Sequence, residues 1–286
     1  METVAIVGVG LIGGSFALAL RKAGFKGRIV GVSSPRTIEA ARARGAIDEA
    51  ASLEQAVSRA DLVYLAQPIS RILAVIEELD PFLREGALVT DAGSTKTEIV
   101  DCAKRHIRKC QFLGGHPMAG KERRGVQEAD PDLFAGRTYV LTPANSGDLD
   151  TPAARELLDW IGRIGGVPVV LDPAEHDRVV SFTSHLPQLA STALATTLAR
   201  RLDIGRYLQV AGPGLMDTTR LAMSSYDIWR DILATNTLGI EQALDAYISE
   251  LRSLRGRIAD DRLREEFETA AGFAARLRQK GEETAT

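Results

Sequence analysis

One hexapeptide limits the fold more than any other part of the chain: Gly8-Val9-Gly10-Leu11-Ile12-Gly13. It follows a short β-branched run, Thr3 to Val7, and opens a segment with helical periodicity. A strand, a tight glycine turn and a helix, in that order, form the first crossover of a doubly wound sheet that holds a dinucleotide. The glycines permit the turn, let the backbone approach a pyrophosphate, and leave helix N-terminal N–H groups open to its negative charge. Gly8, Gly10, Leu11, Ile12 and Gly13 are the expected cradle, and Gln67 and Pro68, after a later strand, are assigned to the same cofactor. The alternative is a glycine-rich turn with no ligand.

Strand-like runs alternate with helical patterns through the first half. Arg28 to Val32, Leu62 to Ala66, Ala87 to Thr90, Phe112 to Leu113, Arg137 to Leu141 and Val167 to Leu171 read as strands, with Pro152 to Ile164 a helix between the last two. After Asp172-Pro173 the strand signals stop. Ala190 to Leu202, Tyr226 to Asn236, Thr237 to Leu254 and Asp260 to Leu277 are helical stretches rich in Ala, Leu, Arg and Glu. The expected architecture is an α/β, Rossmann-type doubly wound sheet over residues 1–172, followed by an all-α domain over 173–286 for substrate binding and dimerisation. Ala- and Leu-rich helices such as Thr237 to Leu254 need a partner face, which points to a homodimer.

Composition narrows the ligand class. A formal net charge of -3 gives no basic field for nucleic acid or anionic membrane, so small molecules are the expected partners. Two cysteines are too few for a disulfide framework and fit a reducing compartment, with the cytoplasm as default. The apolar stretch Val4 to Leu20 is broken by glycines and lacks a basic lead, so it reads as neither signal peptide nor membrane span.

At the end of the second strand, where an acid would bind the ribose of NAD, this chain has Ser33, followed by Ser34 and Arg36. Hydroxyls beside a guanidinium suit a 2′-phosphate, which an acid would repel, so NADP is favoured over NAD. The same residues also read as a helix start, with Pro35 at the first helical position.

Four further segments carry candidate chemistry. Asp91-Ala92-Gly93-Ser94-Thr95-Lys96 lies at the carboxyl edge of the sheet; Thr95 with Glu98 reads as a capping box, and Ser94 is free to orient a catalytic imidazole. Gly114-Gly115-His116-Pro117 places a histidine in a loop dense with glycine, although a satisfied core or surface histidine stays open. Ser184-His185-Leu186-Pro187-Gln188 interrupts a helix with proline, kinking it or starting a new one. Arg220, near Trp229 on a neighbouring helical segment, suits a carboxylate clamp, or else an ion pair to Asp217 at the domain interface.

Together these motifs, from Gly8 to Asp231 and in one order, resemble the prephenate and arogenate dehydrogenase family. The likeness runs from residue 4 to about residue 255. It implies hydride removal coupled to decarboxylation, with His116 as catalytic base, Ser94 orienting it, and Glu122, His185, Arg220 and Trp229 shaping the substrate site. Prephenate and arogenate differ by a keto group against an ammonium, and Gln188 stands near enough in sequence to influence the choice. The family's acidic residue is missing at Ser33, and 286 residues leave room for neither a fused chorismate mutase nor a tyrosine-sensing module. Rival readings are another two-domain nicotinamide reductase, whose catalytic lysine would sit in the helical half, and a dinucleotide sensor without turnover.

Two groups are set aside. Cys102, His106 and Cys110 are spaced four apart, but structural zinc wants four convergent ligands, so no metal is expected. His176, in Glu175-His176-Asp177, reads as helix-start chemistry.

Overall fold

The structure is a computed structural model that describes residues 1–121, 123–201, 208–259 and 263–283. Among these, β1 (Thr3–Val7), α1 (Leu11–Lys22), β2 (Arg28–Val32), α2 (Pro35–Ala43), β3 (Glu49–Ala50), α3 (Leu53–Val57), β4 (Leu62–Leu65), α4 (Ile69–Leu79), β5 (Leu88–Asp91), α5 (Thr97–His106), β6 (Gln111–Pro117), β7 (Thr138–Thr142), α6 (Pro152–Arg163) and β8 (Val167–Val170) build the sheet and its covering helices. The sheet order is β3-β2-β1-β4-β5-β6-β7-β8. Every pairing is parallel except β6 with β7.

Strand order reverses between β1 and β4, so the turns after these two strands flank the crevice where such sheets bind ligands. Alternation along the strands supplies two cores. Val4, Ile6, Leu62 and Tyr64 face one side with Phe16, Leu20 and Trp160. Ala5, Val7, Val63 and Leu65 face the other with Ile72, Ile76 and Ile99. Both faces of the central strands are thus dry, as a parallel sheet with crossover helices demands, while the edge strand β8 is exposed.

The helical half is α7 (Pro173–Val180), α8 (Leu186–Arg201), α9 (Pro213–Thr219), α10 (Tyr226–Thr235), α11 (Thr237–Gly256) and α12 (Arg264–Glu283). Between α7 and α8 the chain does not break. It passes through one π-helical turn, Ser181–His185, in which the Leu186 N–H donates to Ser181 O. Pro187 explains the wide turn, because its ring has no N–H and crowds the carbonyl a turn earlier. Two short elements, β3 and α9, escape the sequence reading because neither is long enough to show a period.

Candidate active site

The glycine turn is shaped for a ligand. Gly8 has φ +96°, and a Cβ there would lie 2.6 Å from Ala66 O; at Gly13 it would lie 2.2 Å from Gly8 O. Both positions are closed to any other residue. At Gly10, by contrast, a Cβ would meet nothing within 4 Å. Helix α1 starts directly after Gly10 with neither a side-chain cap nor an acid in its first turn. Its leading N–H groups therefore face open space, the arrangement a pyrophosphate fills. Gln67 Oε1, buried beside this turn, has no hydrogen-bond partner among the described residues. An orphaned acceptor next to an open cradle fits a dinucleotide. Pro68 begins α4 from the neighbouring strand; its ring cannot cap the helix, and Asp231 Oδ2 accepts from Ser70 N at 2.9 Å instead. At the end of β2, Ser33, Ser34 and Arg36 are all exposed. Ser34 Oγ caps α2 by accepting from Thr37 N at 3.4 Å, so the helix-start reading holds for that residue.

His116 lies on strand β6 rather than in a loop. Gly114 and Gly115 suggest a turn in sequence, but packing is what requires them. A Cβ at Gly115 would stand 2.6 Å from Asp91 O, and one at Gly114 2.2 Å from Thr142 Oγ1. The peptide before His116 is clamped from below. Gly115 N donates to Asp91 Oδ1 at 3.1 Å, and Lys96 Nζ donates to Gly115 O at 2.7 Å. Lys96 and Asp91, both wholly buried, also form an ion pair with each other. Burial lowers the Lys96 ammonium from its usual value, although Asp91 opposes the change.

The imidazole of His116 meets the helical half. Its Nδ1 is 2.8 Å from Nε2 of His176, whose own Nδ1 is 2.8 Å from Asp177 Oδ1. Asp177 in turn accepts from Lys96 N at 2.7 Å and Thr97 N at 2.8 Å, so a carboxylate of α7 caps α5. Burial pushes that carboxyl up, yet the hydrogen bonds from His176, Thr97 and Lys96 outweigh it and hold it below its ordinary value. For His116, burial and then the nearby His176, Lys96 and His185 drive the pKa well below the usual histidine range. The ring is neutral at pH 7 and can accept a proton.

His185 is buried in the π turn, and burial brings its pKa down to about 4. Asn236 Nδ2 donates to Asp177 O at 2.8 Å and lies 3.4 Å from His185 Nδ1. Since the amide nitrogen only donates, Nδ1 of the neutral His185 accepts and its N–H is on Nε2. Trp229 stands edge-on to this ring at 5.9 Å between centroids. Arg220 is exposed and opens a short turn after α9. That turn is tied to α8 just beyond His185: Gln188 Nε2 donates to Leu221 O at 2.8 Å, and Ala222 N to Ser191 Oγ at 3.1 Å.

Several expectations change. Ser94 is half-buried and makes no hydrogen bond to the His116 ring; the partner of Nδ1 is His176. Thr95 does not cap α5, because its hydroxyl pairs with Thr235 at 2.7 Å and Asp177 supplies the cap. His176 is not merely helix-start chemistry; Asp172 makes that cap, and His176 is fully buried against His116. Cys110 falls beyond the end of α5, where its Sγ donates to Arg84 O at 2.8 Å. Glu77 of α4 instead joins Cys102 and His106, with three ligand atoms within 4.8 Å of one another. Glu122 lies outside the described residues. His176, Asp177, Lys96, Asp91 and Asn236 were missed as site residues, and only the adjacency of His176 to an acid hinted at them.

Known proteins share both halves of this fold. Residues 16–170 match the family model "Prephenate dehydrogenase, nucleotide-binding domain", and residues 172–271 match "Prephenate dehydrogenase, dimerization domain". Prephenate dehydrogenase of Bacillus subtilis strain 168 is 35% identical over 290 residues, covering 98% of this chain and 78% of that protein. Prephenate dehydrogenase from A. aeolicus, solved in complex with hydroxyphenyl propionate and NAD+, superposes with TM-score 0.87 at 33% identity over 98% of each chain. Synechocystis arogenate dehydrogenase gives TM-score 0.80 at 30% identity, over 97% of this chain and 99% of that one. With both family models matched in order, over residues 16–170 and 172–271, the chain belongs to the prephenate dehydrogenase family.

Proposed function

We propose that the chain catalyses NAD(P)-dependent oxidative decarboxylation of prephenate or arogenate, with His116 as general base. The observation that carries this reading is the neutral, buried His116 ring, held at the carboxyl edge of the sheet with one nitrogen engaged and the other without a partner among the described residues. The bound nicotinamide supplies the hydride acceptor. The residues that would hold its dinucleotide are Gly8, Gly10, Leu11, Ile12, Gly13, Gln67 and Pro68.

His116 accepts the proton of the ring hydroxyl as that carbon becomes a carbonyl. Loss of carbon dioxide then sends its electron pair into the ring, and the proton returns from His116 to the phenolate oxygen. His185 offers an N–H donor to a polar end of the substrate, Arg220 binds a carboxylate, Glu122 is the active-site acid that the family resemblance assigns beside the substrate, and Trp229 walls the pocket. A doubly anionic substrate also suits the site electrostatically, because its charge raises the depressed basicity of His116.

NADP is the favoured cofactor, since no acid at the end of β2 repels a 2′-phosphate and Ser33 and Arg36 stand exposed there. The helical half forms a homodimer, a reading supported by its match to a family dimerization domain. No helix among the described residues is long and apolar enough to cross a membrane.

Initial rates with prephenate and arogenate, each with NAD and NADP, test this proposal, with His116→Asn as control. The variant is expected to keep dinucleotide affinity and lose about 10²- to 10⁴-fold in turnover. Near-normal turnover in His116→Asn, or no cofactor reduction with either substrate, would count against it.

A further inference from the structure

We infer that His176 and Asp177 are positioning residues that hold His116 in one tautomer, Nδ1 protonated and Nε2 bare, and so select the nitrogen that receives the substrate proton. The inference rests on the reading of His116 as the base. It follows from counting protons along a line that begins at the carboxylate.

Both Asp177 oxygens already accept main-chain N–H groups, from Lys96 and Thr97, so this carboxylate is ionised and can only accept. The 2.8 Å contact to His176 Nδ1 therefore carries a proton on that nitrogen. In the inferred arrangement this is the one N–H of the His176 ring, which leaves its Nε2 as an acceptor. The 2.8 Å contact between His176 Nε2 and His116 Nδ1 then takes its proton from His116. By elimination, the lone pair of the His116 ring is on Nε2.

Solvent cannot substitute for this arrangement, because His176 is 0% and Asp177 5% exposed. No hydrogen bond from Ser94 competes for Nδ1. During turnover only one bond changes partner on the protein side: the substrate O–H breaks and Nε2–H forms. The proton on Nδ1 stays in place, and the imidazolium that results is stabilised through His176 by the anion at the end of the line. Because His116 is on β6 and the other two are on α7, the base is set correctly only when the two halves are docked.

The test uses full-length protein carrying His176→Phe, which removes the acceptor, and His176→Gln, which returns one on a flexible amide; neither alters the Asp177 cap of α5. With prephenate, His176→Phe is expected to lose about 100-fold in kcat while KM and dinucleotide Kd stay within about threefold, and His176→Gln to recover about tenfold. A readout independent of rate comes from 15N spectra of histidine-labelled protein, tractable because the chain has four histidines. Wild type should show His116 with a protonated Nδ1 and a bare Nε2, and His176→Phe a mixture of tautomers. A wild-type spectrum with the proton on Nε2, or a His176→Phe kcat within about threefold of wild type, would overturn the inference. If His116→Asn is inactive while His176→Phe is normal, the positioning role alone fails. Should His116→Asn itself turn over normally, the base reading fails first and takes this one with it.

Discussion

Three buried histidines share one small volume with a buried lysine, and their protonation follows from what surrounds each ring. His185 is 1% exposed, and its pKa of about 4 compares with 6.5 for an unperturbed ring. The unfolded chain therefore binds a proton near pH 6 that the folded chain refuses. Stability from this group is fully present above pH 6.5 and is lost as pH falls from there toward 4. For His185 the loss is on the order of 3 kcal/mol across that window, and His116 adds to it in the same direction. Asp177 acts elsewhere: its lowered pKa gives stability present above about pH 3.8 and lost only below it. Urea midpoints measured between pH 7 and 4.5 should fall steadily, with a shallower fall in His185→Asn. Equal slopes for the two proteins would remove His185 from the account. Residue roles were legible where a local pattern had no second explanation, as with His116 between glycine and proline. His176 was hidden because an adjacent acid just after Pro173 also fits an ordinary helix start, and only tertiary contact separates the two readings.

Helix termini make the junction between the halves. Asp177 of α7 caps α5, and Asp231 of α10 does the same for α4, accepting from Ser70 N at 2.9 Å. Both capped helices begin at the carboxyl edge of the sheet, where their positive ends would otherwise compete for anions. The helical half thus quiets α4 and α5 while the start of α1 stays open for the pyrophosphate. Asp231→Ala should cost about 1 to 2 kcal/mol, read as a lowered urea midpoint, because Ser70 N–H loses its acceptor in a partly buried place. An unchanged midpoint would mean that water caps α4 equally well. Most elements were readable from sequence because strands β1, β2 and β4 and helices α6 and α11 are long or regular enough to show a period. The capping of α5 was not. Thr95 and Glu98 carry the local signature of a box, and a carboxylate from about eighty positions downstream displaces it.

Across the whole molecule, the sheet and its covering helices close on themselves, but the end of the chain does not. Helix α11 carries one apolar stripe: Ile240 and Ala243 are buried against the body, while Tyr247 is 37% and Leu251 46% exposed farther along. Ile248 beside that stripe is also exposed, and α12 leaves Phe267, Phe273 and Leu277 each more than 60% exposed. Among the described residues α12 has no buried apolar side chain, only a part-buried ion pair from Glu266 to Arg257, and a 20-residue helix so exposed is marginal in water, so it needs a further surface. A second copy presenting the same stripe would cover both helices by twofold symmetry. Sedimentation equilibrium should therefore find dimers through the micromolar range, and Leu251→Glu should shift the population to monomers with a lower Tm. That loss follows from a buried charge without a partner, which costs several kcal/mol at an apolar interface. Wild-type protein that sediments as a monomer at every concentration, with α12 still folded, would mean that the helix is held by contacts within its own chain.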